Sequence, residues 1–135
     1  MNAAHKAVTA LLVDDQAYFR RFVGQLLRGE TIGTVIEACD GYEALEQFNL
    51  KQPDFVILDI NMPRLDGLET LKALRRLSAD VPIIMLTSVA DEMVVEECVG
   101  EGATFFIRKD VPAQELTPEL RRVLAEFLGQ GQVPS

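Results

Sequence analysis

The sequence has no tryptophan, one histidine and two cysteines, and no apolar run near the ~20 residues that a membrane-spanning helix needs. Each scarcity removes a class of function. With His5 alone, close to the N-terminus, neither a Ser-His-Asp triad nor an imidazole-based metal site has its parts. Cys39 and Cys98 are far apart and fit no metal-binding or redox spacing, so both read as reduced packing thiols. Residues Met1–Lys6 lack the apolar segment of a signal peptide, and with no membrane span the expectation is a soluble cytoplasmic protein. Basic residues are scarce too. Thirteen Lys and Arg against 21 Asp and Glu give a net charge of −8, which disfavours direct nucleic-acid binding because phosphate contacts need clustered Lys or Arg.

What is present is apolar and regularly punctuated. At 135 residues and 48% apolar content the chain suits one domain, which at this size buries roughly two-thirds of the surface its unfolded chain exposes. The domain is expected over residues 7–128, with a flexible Gln- and Gly-rich tail over 129–135. Its centre is the stretch Asp54–Pro63. The run Phe55–Leu58 reads as a strand buried on both faces and ends in Asp59, with Asn61 and Pro63 following. Pro63 stops the ladder, and Asp66-Gly67 supplies a turn and a helix N-cap before the periodic run Leu68, Leu71, Leu74 and Leu77. An acid at the tip of a buried strand either caps the turn or does chemistry, and the rest of the chain decides which.

Ala7–Val13 is a second apolar, β-branched run ending in acids, Asp14-Asp15. Phe19, Phe22, Val23, Leu26 and Leu27 then recur at helical spacing, with Arg20 and Arg21 on another face and a stop near Gly29. Thr34–Ala38 is a short strand, and Asp40-Gly41 turns into a helix whose core face holds Ala44, Leu45 and Phe48. Ile83–Leu86 reads as a fourth strand ending in Thr87-Ser88, followed by a helical segment of about a dozen residues from Ala90, closed by Gly102. Thr104–Ile107 is the fifth strand, ending in Arg108-Lys109-Asp110. The last helix is expected over Glu115–Leu128, with Leu116, Leu120, Val123, Leu124, Phe127 and Leu128 inward, and Pro118 places its regular start at Thr117. Five strands alternating with five helices predict an α/β fold, a (βα)5 doubly wound parallel sheet.

In such sheets ligands bind outside the carboxyl ends of the strands at the switch point, which for the order 2-1-3-4-5 lies between the first and third strands. Asp14, Asp15 and Asp59 fall there, with Thr87 and Lys109 at the same ends of the fourth and fifth strands. Three unpaired carboxylates repel one another, so a cation is expected among them, and oxygen ligands without His or Cys suit Mg2+. Lys109 offers a mobile positive charge and Thr87 a hydroxyl, the groups needed to hold a phosphoryl group on Asp59.

Asp14-Asp15, Asp59-Ile-Asn-Met-Pro63 with Asp66-Gly67, Thr87-Ser88, and Phe106-Ile-Arg-Lys109 together resemble the motif set of the response regulator receiver domain of two-component signalling, in order and at the strand ends. The resemblance covers residues 7–128 and brings with it the sheet order 2-1-3-4-5. It implies that Asp59 accepts a phosphoryl group from the phosphohistidine of a sensor histidine kinase or histidine phosphotransfer protein. It further implies that Asp14, Asp15, Asp59 and the backbone carbonyl of Asn61 hold Mg2+, and that Lys109 pairs with Asp59 or its phosphate. Thr87 and Ser88 would line the phosphoryl site. Phe106, which by its strand position is otherwise an ordinary core aromatic, would follow Thr87 inward and change the surface of the fourth helix, fifth strand and fifth helix for a downstream effector. Such a module is not an enzyme beyond its own phosphorylation and dephosphorylation.

Two departures from the family pattern stand out. Receivers often follow this Lys with a cis Pro, whereas Asp110 follows Lys109, and because a cis bond at a non-proline costs about 3 kcal/mol a trans bond is expected. Asp110 could also draw Lys109 away from the phosphoryl group. Ser88 stands where the family usually has Ala. Other readings are a small phosphohydrolase with an aspartyl-phosphate intermediate, which would show steady turnover of phosphate esters, and a receiver-like module that binds partners without phosphorylation. A flavin carrier of the same fold lacks its Ser/Thr/Gly-rich phosphate loop. In the family the side chains two residues beyond the acceptor and two beyond the Thr tune phosphoryl lifetime; here they are Asn61 and Val89. Val89 cannot orient an attacking water by a hydrogen bond, so the phosphoryl group should be lost slowly, and decay of a radiolabelled adduct should quicken in Val89→Glu; rapid loss from the wild type, unchanged in the variant, contradicts this.

Overall fold

Strand β3, Phe55–Asp59, is buried along its whole length because neighbours flank it on both sides and helices cover both faces. The computed structural model describes residues 7–30, 32–88 and 91–129. Around β3 lie β1 (Val8–Val13), β2 (Ile32–Ala38), β4 (Ile83–Thr87) and β5 (Phe105–Arg108), all parallel, in the order β2-β1-β3-β4-β5. The connecting helices are α1 (Ala17–Arg28), α2 (Gly41–Lys51), α3 (Gly67–Leu77), α4 (Glu92–Gly100) and α5 (Ala113–Leu124), the last continued by a wider π-helical turn over Ala125–Gly129. None of the described helices is long and apolar enough to cross a membrane.

The two faces carry separate cores, as the period-2 alternation of a strand requires. Ala10, Leu12, Phe55 and Ile57 pack with Phe19, Val23 and Leu27 of α1 and Leu116, Leu120 and Val123 of α5. Leu11, Val13, Val56 and Leu58 pack with Ala44 and Phe48 of α2, Leu71 and Leu74 of α3 and Cys98 of α4. Asp40 caps α2 by accepting from the Glu43 amide at 2.9 Å, while the Glu43 side chain reaches back to accept from the Cys39 amide at 2.7 Å; Asp66 caps α3 through the Glu69 amide at 2.9 Å.

Several expected boundaries shift for physical reasons. Strand β2 begins at Ile32 rather than Thr34, because Gly33 sits as an unpartnered bulge between the pairs Val8 with Ile32 and Thr9 with Thr34. Leu77, expected in the apolar run of α3, is 49% exposed: nine residues on from Leu68 a helix has turned to about the opposite face, so Leu71 and Leu74 centre the stripe. Helix α4 ends at Gly100, earlier than expected, and Gly102 follows at φ 96. Helix α5 starts at Ala113, not at Glu115 or Thr117, since the Pro112 carbonyl accepts from the Glu115 and Leu116 amides; Pro118 lies inside the helix and leaves the Gln114 carbonyl without its i+4 donor. Among the described residues no peptide bond is cis, so Lys109–Asp110 is trans as expected. His5, Val89, Ala90 and the tail from Gln130 lie outside the described residues.

Gly67 opens α3 directly beneath the end of β3. Its amide donates to the Ile60 carbonyl at 2.8 Å, and a Cβ there would come within 2.3 Å of the Asp59 carbonyl oxygen and 2.5 Å of the Ile60 Cα. Both are backbone atoms and cannot yield without moving Asp59. Gly67→Ala should therefore destabilise by about 3 kcal/mol or more, read as a lowered urea midpoint; a loss below about 1 kcal/mol contradicts this packing.

Candidate functional site

Parallel pairing brings all five strand ends to one edge, and the polar residues follow from where each strand stops. Asp14 comes directly after β1, its amide donating to the Ala38 carbonyl of β2 at 3.1 Å. Asp59 is the last residue of β3 and pairs in register with Leu86; Thr87 ends β4 and pairs with Arg108. The Lys109 amide, just past β5, donates to the Thr87 carbonyl at 2.7 Å. These bonds carry sheet geometry one residue beyond the strands and hold the site's backbone rigid.

Asp14 and Asp59 are buried and Asp15 is exposed, and one carboxylate oxygen of each lies within 4.8 Å of the others. The Lys109 ammonium reaches into this group, 2.6 Å from Asp14 Oδ2 and 3.3 Å from Asp59 Oδ2, with the Gln16 Oε1 at 3.5 Å and the Phe19 ring centroid at 4.5 Å. Burial pushes the Asp59 carboxyl up, to about 6, and the Asp14 charge adds to the rise; Lys109 and the Asn61 amide, which donates to Asp59 Oδ1 at 3.3 Å, oppose it. Burial pulls the Lys109 ammonium down, but its bond to Asp14 and the charges of both acids more than offset this, and its pKa is raised. The carboxyl of Asp110 is gripped by Arg108 in two bonds of 2.7 and 2.9 Å.

The remaining expected residues border the same edge. Asn61 is exposed, and its side-chain amide donates to Asp91 Oδ1 at 2.7 Å. The buried Thr87 hydroxyl donates to the Ile107 carbonyl at 3.5 Å. Ser88 donates to Asp91 Oδ2 through its amide at 2.8 Å and its hydroxyl at 3.0 Å. Half-buried Phe106 lines a cavity of about 320 Å³ with Thr87, Ser88, Glu92, Val95 and Arg108. Thus the acids and Lys109 form one cluster, Ser88 and Asn61 meet through Asp91, and Phe106 shares a cavity with Thr87.

Sequence reasoning missed two contributors. Asp91 reads as part of a helical segment, although its place four residues after Thr87, just before α4, was a usable signal. Arg20 reads as a solvent-face residue of α1, yet its Nη1 donates to the Asp14 carbonyl at 2.6 Å and its Nε pairs with Glu37 at 2.9 Å, fixing the turn that carries the acids.

Residues 10–121 match the family model of the response regulator receiver domain. A chemotaxis protein CheY from Bacillus subtilis is 32% identical over 114 residues, covering 84% of this chain and 95% of that protein. A protein-glutamate methylesterase/protein-glutamine glutaminase from Treponema pallidum is 35% identical over 105 residues, 76% of this chain but only 26% of that longer protein. Among solved structures, the CheX-CheY-BeF3-Mg2+ complex from Borrelia burgdorferi aligns with a TM-score of 0.79 at 29% identity, covering 89% of each chain. The chain belongs to the response regulator receiver domain family, the phosphorylatable module of two-component signalling. The likeness to the methylesterase covers the receiver part alone.

Because the raised Asp59 pKa means that the native state binds a proton the unfolded chain releases, stability falls as pH rises from the ordinary Asp value through about 6. Lys109 limits that fall. In Lys109→Met, urea denaturation in EDTA should show a loss of roughly 1–3 kcal/mol at pH 8 and a clearly smaller loss at pH 5. Equal losses at the two pH values would contradict the charge balance described.

Proposed function

We propose that Asp59 accepts a phosphoryl group from a phosphohistidine, on a sensor histidine kinase or a histidine phosphotransfer protein, and that the receiver spans residues 7–128. The observation that supports this most is the pairing of a 3%-exposed Asp59 carboxylate at a strand end with Asp14, Asp15 and Lys109. Asp59 would attack phosphorus in line as the P–N bond to the imidazole breaks. Lys109 already lies within reach of the oxygens that would carry the new charge, so little reorganisation is needed at the moment of transfer.

The donor set fits a hard cation. Three carboxylates converge without a His or Cys among them, and exposed Asp15 gives the group an open side towards solvent. Asp14, Asp15, Asp59 and the Asn61 carbonyl would hold Mg2+, as the metal in the related complex suggests. The ion would supply charge neutralisation and alignment of the transferring group.

Once Asp59 carries the group, added negative charge would draw the Thr87 hydroxyl away from Ile107, vacating space into which Phe106 can turn. The surface of α4, β5 and α5 would then alter for a downstream effector protein or domain. The chain would turn over only its own phosphoryl group. Intact mass after incubation with Mg2+ and acetyl phosphate should show one phosphoryl adduct on the wild type and none on Asp59→Asn. An adduct on both variants, or on neither with Mg2+ binding verified, contradicts the assignment.

A further inference from the structure

Asp91 is a buried carboxylate, 5% exposed, immediately before α4. A helix cap is the ordinary reason for an acid there, but its side chain makes no bond to the first amides of α4. Its oxygens instead accept from the Ser88 amide at 2.8 Å, the Ser88 hydroxyl at 3.0 Å and the Asn61 side-chain amide at 2.7 Å. All three donors belong to residues that line one cleft of about 400 Å³ together with Asp59, Asp15 and Lys109. The carboxylate therefore ties the loop after β4 to the loop after β3, across the mouth of the site.

We propose that Asp91 is a positioning residue that latches the unphosphorylated state, holding the Ser88 and Asn61 donors that a phosphoryl group on Asp59 must recruit. The inference rests on Asp59 being the acceptor. A phosphoryl group brings a charge of roughly −1.5 to −2 and several acceptor oxygens into a cleft where the Ser88 donors and the Asn61 side-chain amide are already committed to Asp91. It also meets the charge of Asp91 across that cleft. Two acceptors thus compete for one donor set, and by linkage whatever the phosphoryl group does to the Asp91 bonds, those bonds do to its binding in equal measure. Releasing the latch costs the wild type part of its affinity for the phosphoryl group and loosens the start of α4 as the group arrives.

The test uses beryllofluoride, a phosphoryl mimic, titrated calorimetrically at saturating Mg2+ into the full chain as wild type, Asp91→Ala and Asp91→Ser. The serine variant keeps a polar group at this buried position but cannot span to Asn61. Both variants should bind beryllofluoride about 5- to 20-fold more tightly than the wild type, within the usual range of coupling between sites. Affinity equal to or weaker than that of the wild type, in a variant whose thermal melt shows it folded, overturns the latch and leaves the acceptor assignment standing. Failure of the wild type to bind beryllofluoride while it binds Mg2+ overturns both. Should both variants unfold, a crystal structure of the wild type with Mg2+ and beryllofluoride decides: Asp91 released from Ser88 and Asn61 supports the latch, and Asp91 still bonded to both overturns it.

Discussion

The Lys109 ammonium lies between two buried carboxylates, 2.6 Å from Asp14 and 3.3 Å from Asp59, and the site depends on that charge. At this depth the Asp14 charge adds to the burial that raises the Asp59 pKa, and two buried acids without a cation would disrupt the strand ends. One cation shared between them is insufficient: Asp59 remains shifted to about 6. Under the proposed function the residual negative charge would make the cleft receptive to a further cation, and the asymmetry of the two Lys109 distances leaves Asp59 the less neutralised of the pair. Under the proposed function, chemistry on Asp59 and binding of a metal beside it would be two consequences of one electrostatic imbalance.

The sheet makes that imbalance stable. Asp14, Asp59 and Lys109 are separated by up to 95 residues in sequence, yet each stands at or just past the end of a parallel strand, so register alone brings them together. Two dry cores, one under α1 and α5 and the other under α2, α3 and α4, fix those ends against helices on both faces. Gly67 lets α3 start against the Asp59 backbone, and Arg20 holds the carbonyl of Asp14. Ser88, just beyond β4, is tied to Asn61 through the side chain of Asp91.

Much of this was legible because it depends on local pattern. A run such as Phe55–Leu58 ending in an acid, repeated at Val13-Asp14, specifies both a buried parallel strand and the edge to which it delivers its charge. The same reading placed Thr87 and Lys109 at the ends of the fourth and fifth strands. What stayed hidden depends on contacts between distant segments. The second strand reads as starting at Thr34 and begins at Ile32, across a bulge at Gly33; Pro118 reads as lying at a helix start and lies within α5, because the Pro112 carbonyl accepts the first amides. Leu77 keeps three-residue spacing but rotates off the buried stripe. Asp91 has only its place just before α4 as a signal, since its contacts exist only once Ser88 and Asn61 are brought beside it.

The central claim is that a buried, partly compensated carboxylate at the end of β3 is poised to share a cation. The direct measurement is the titration of the Asp59 carboxyl carbon by 13C NMR, with and without saturating Mg2+. Without metal it should titrate near 6; with Mg2+ the midpoint should drop below the ordinary Asp value, because a bound cation favours the charged form. A midpoint that stays near 6 in both conditions, or an ordinary one without metal, would show that Asp59 is not the centre of this electrostatic arrangement.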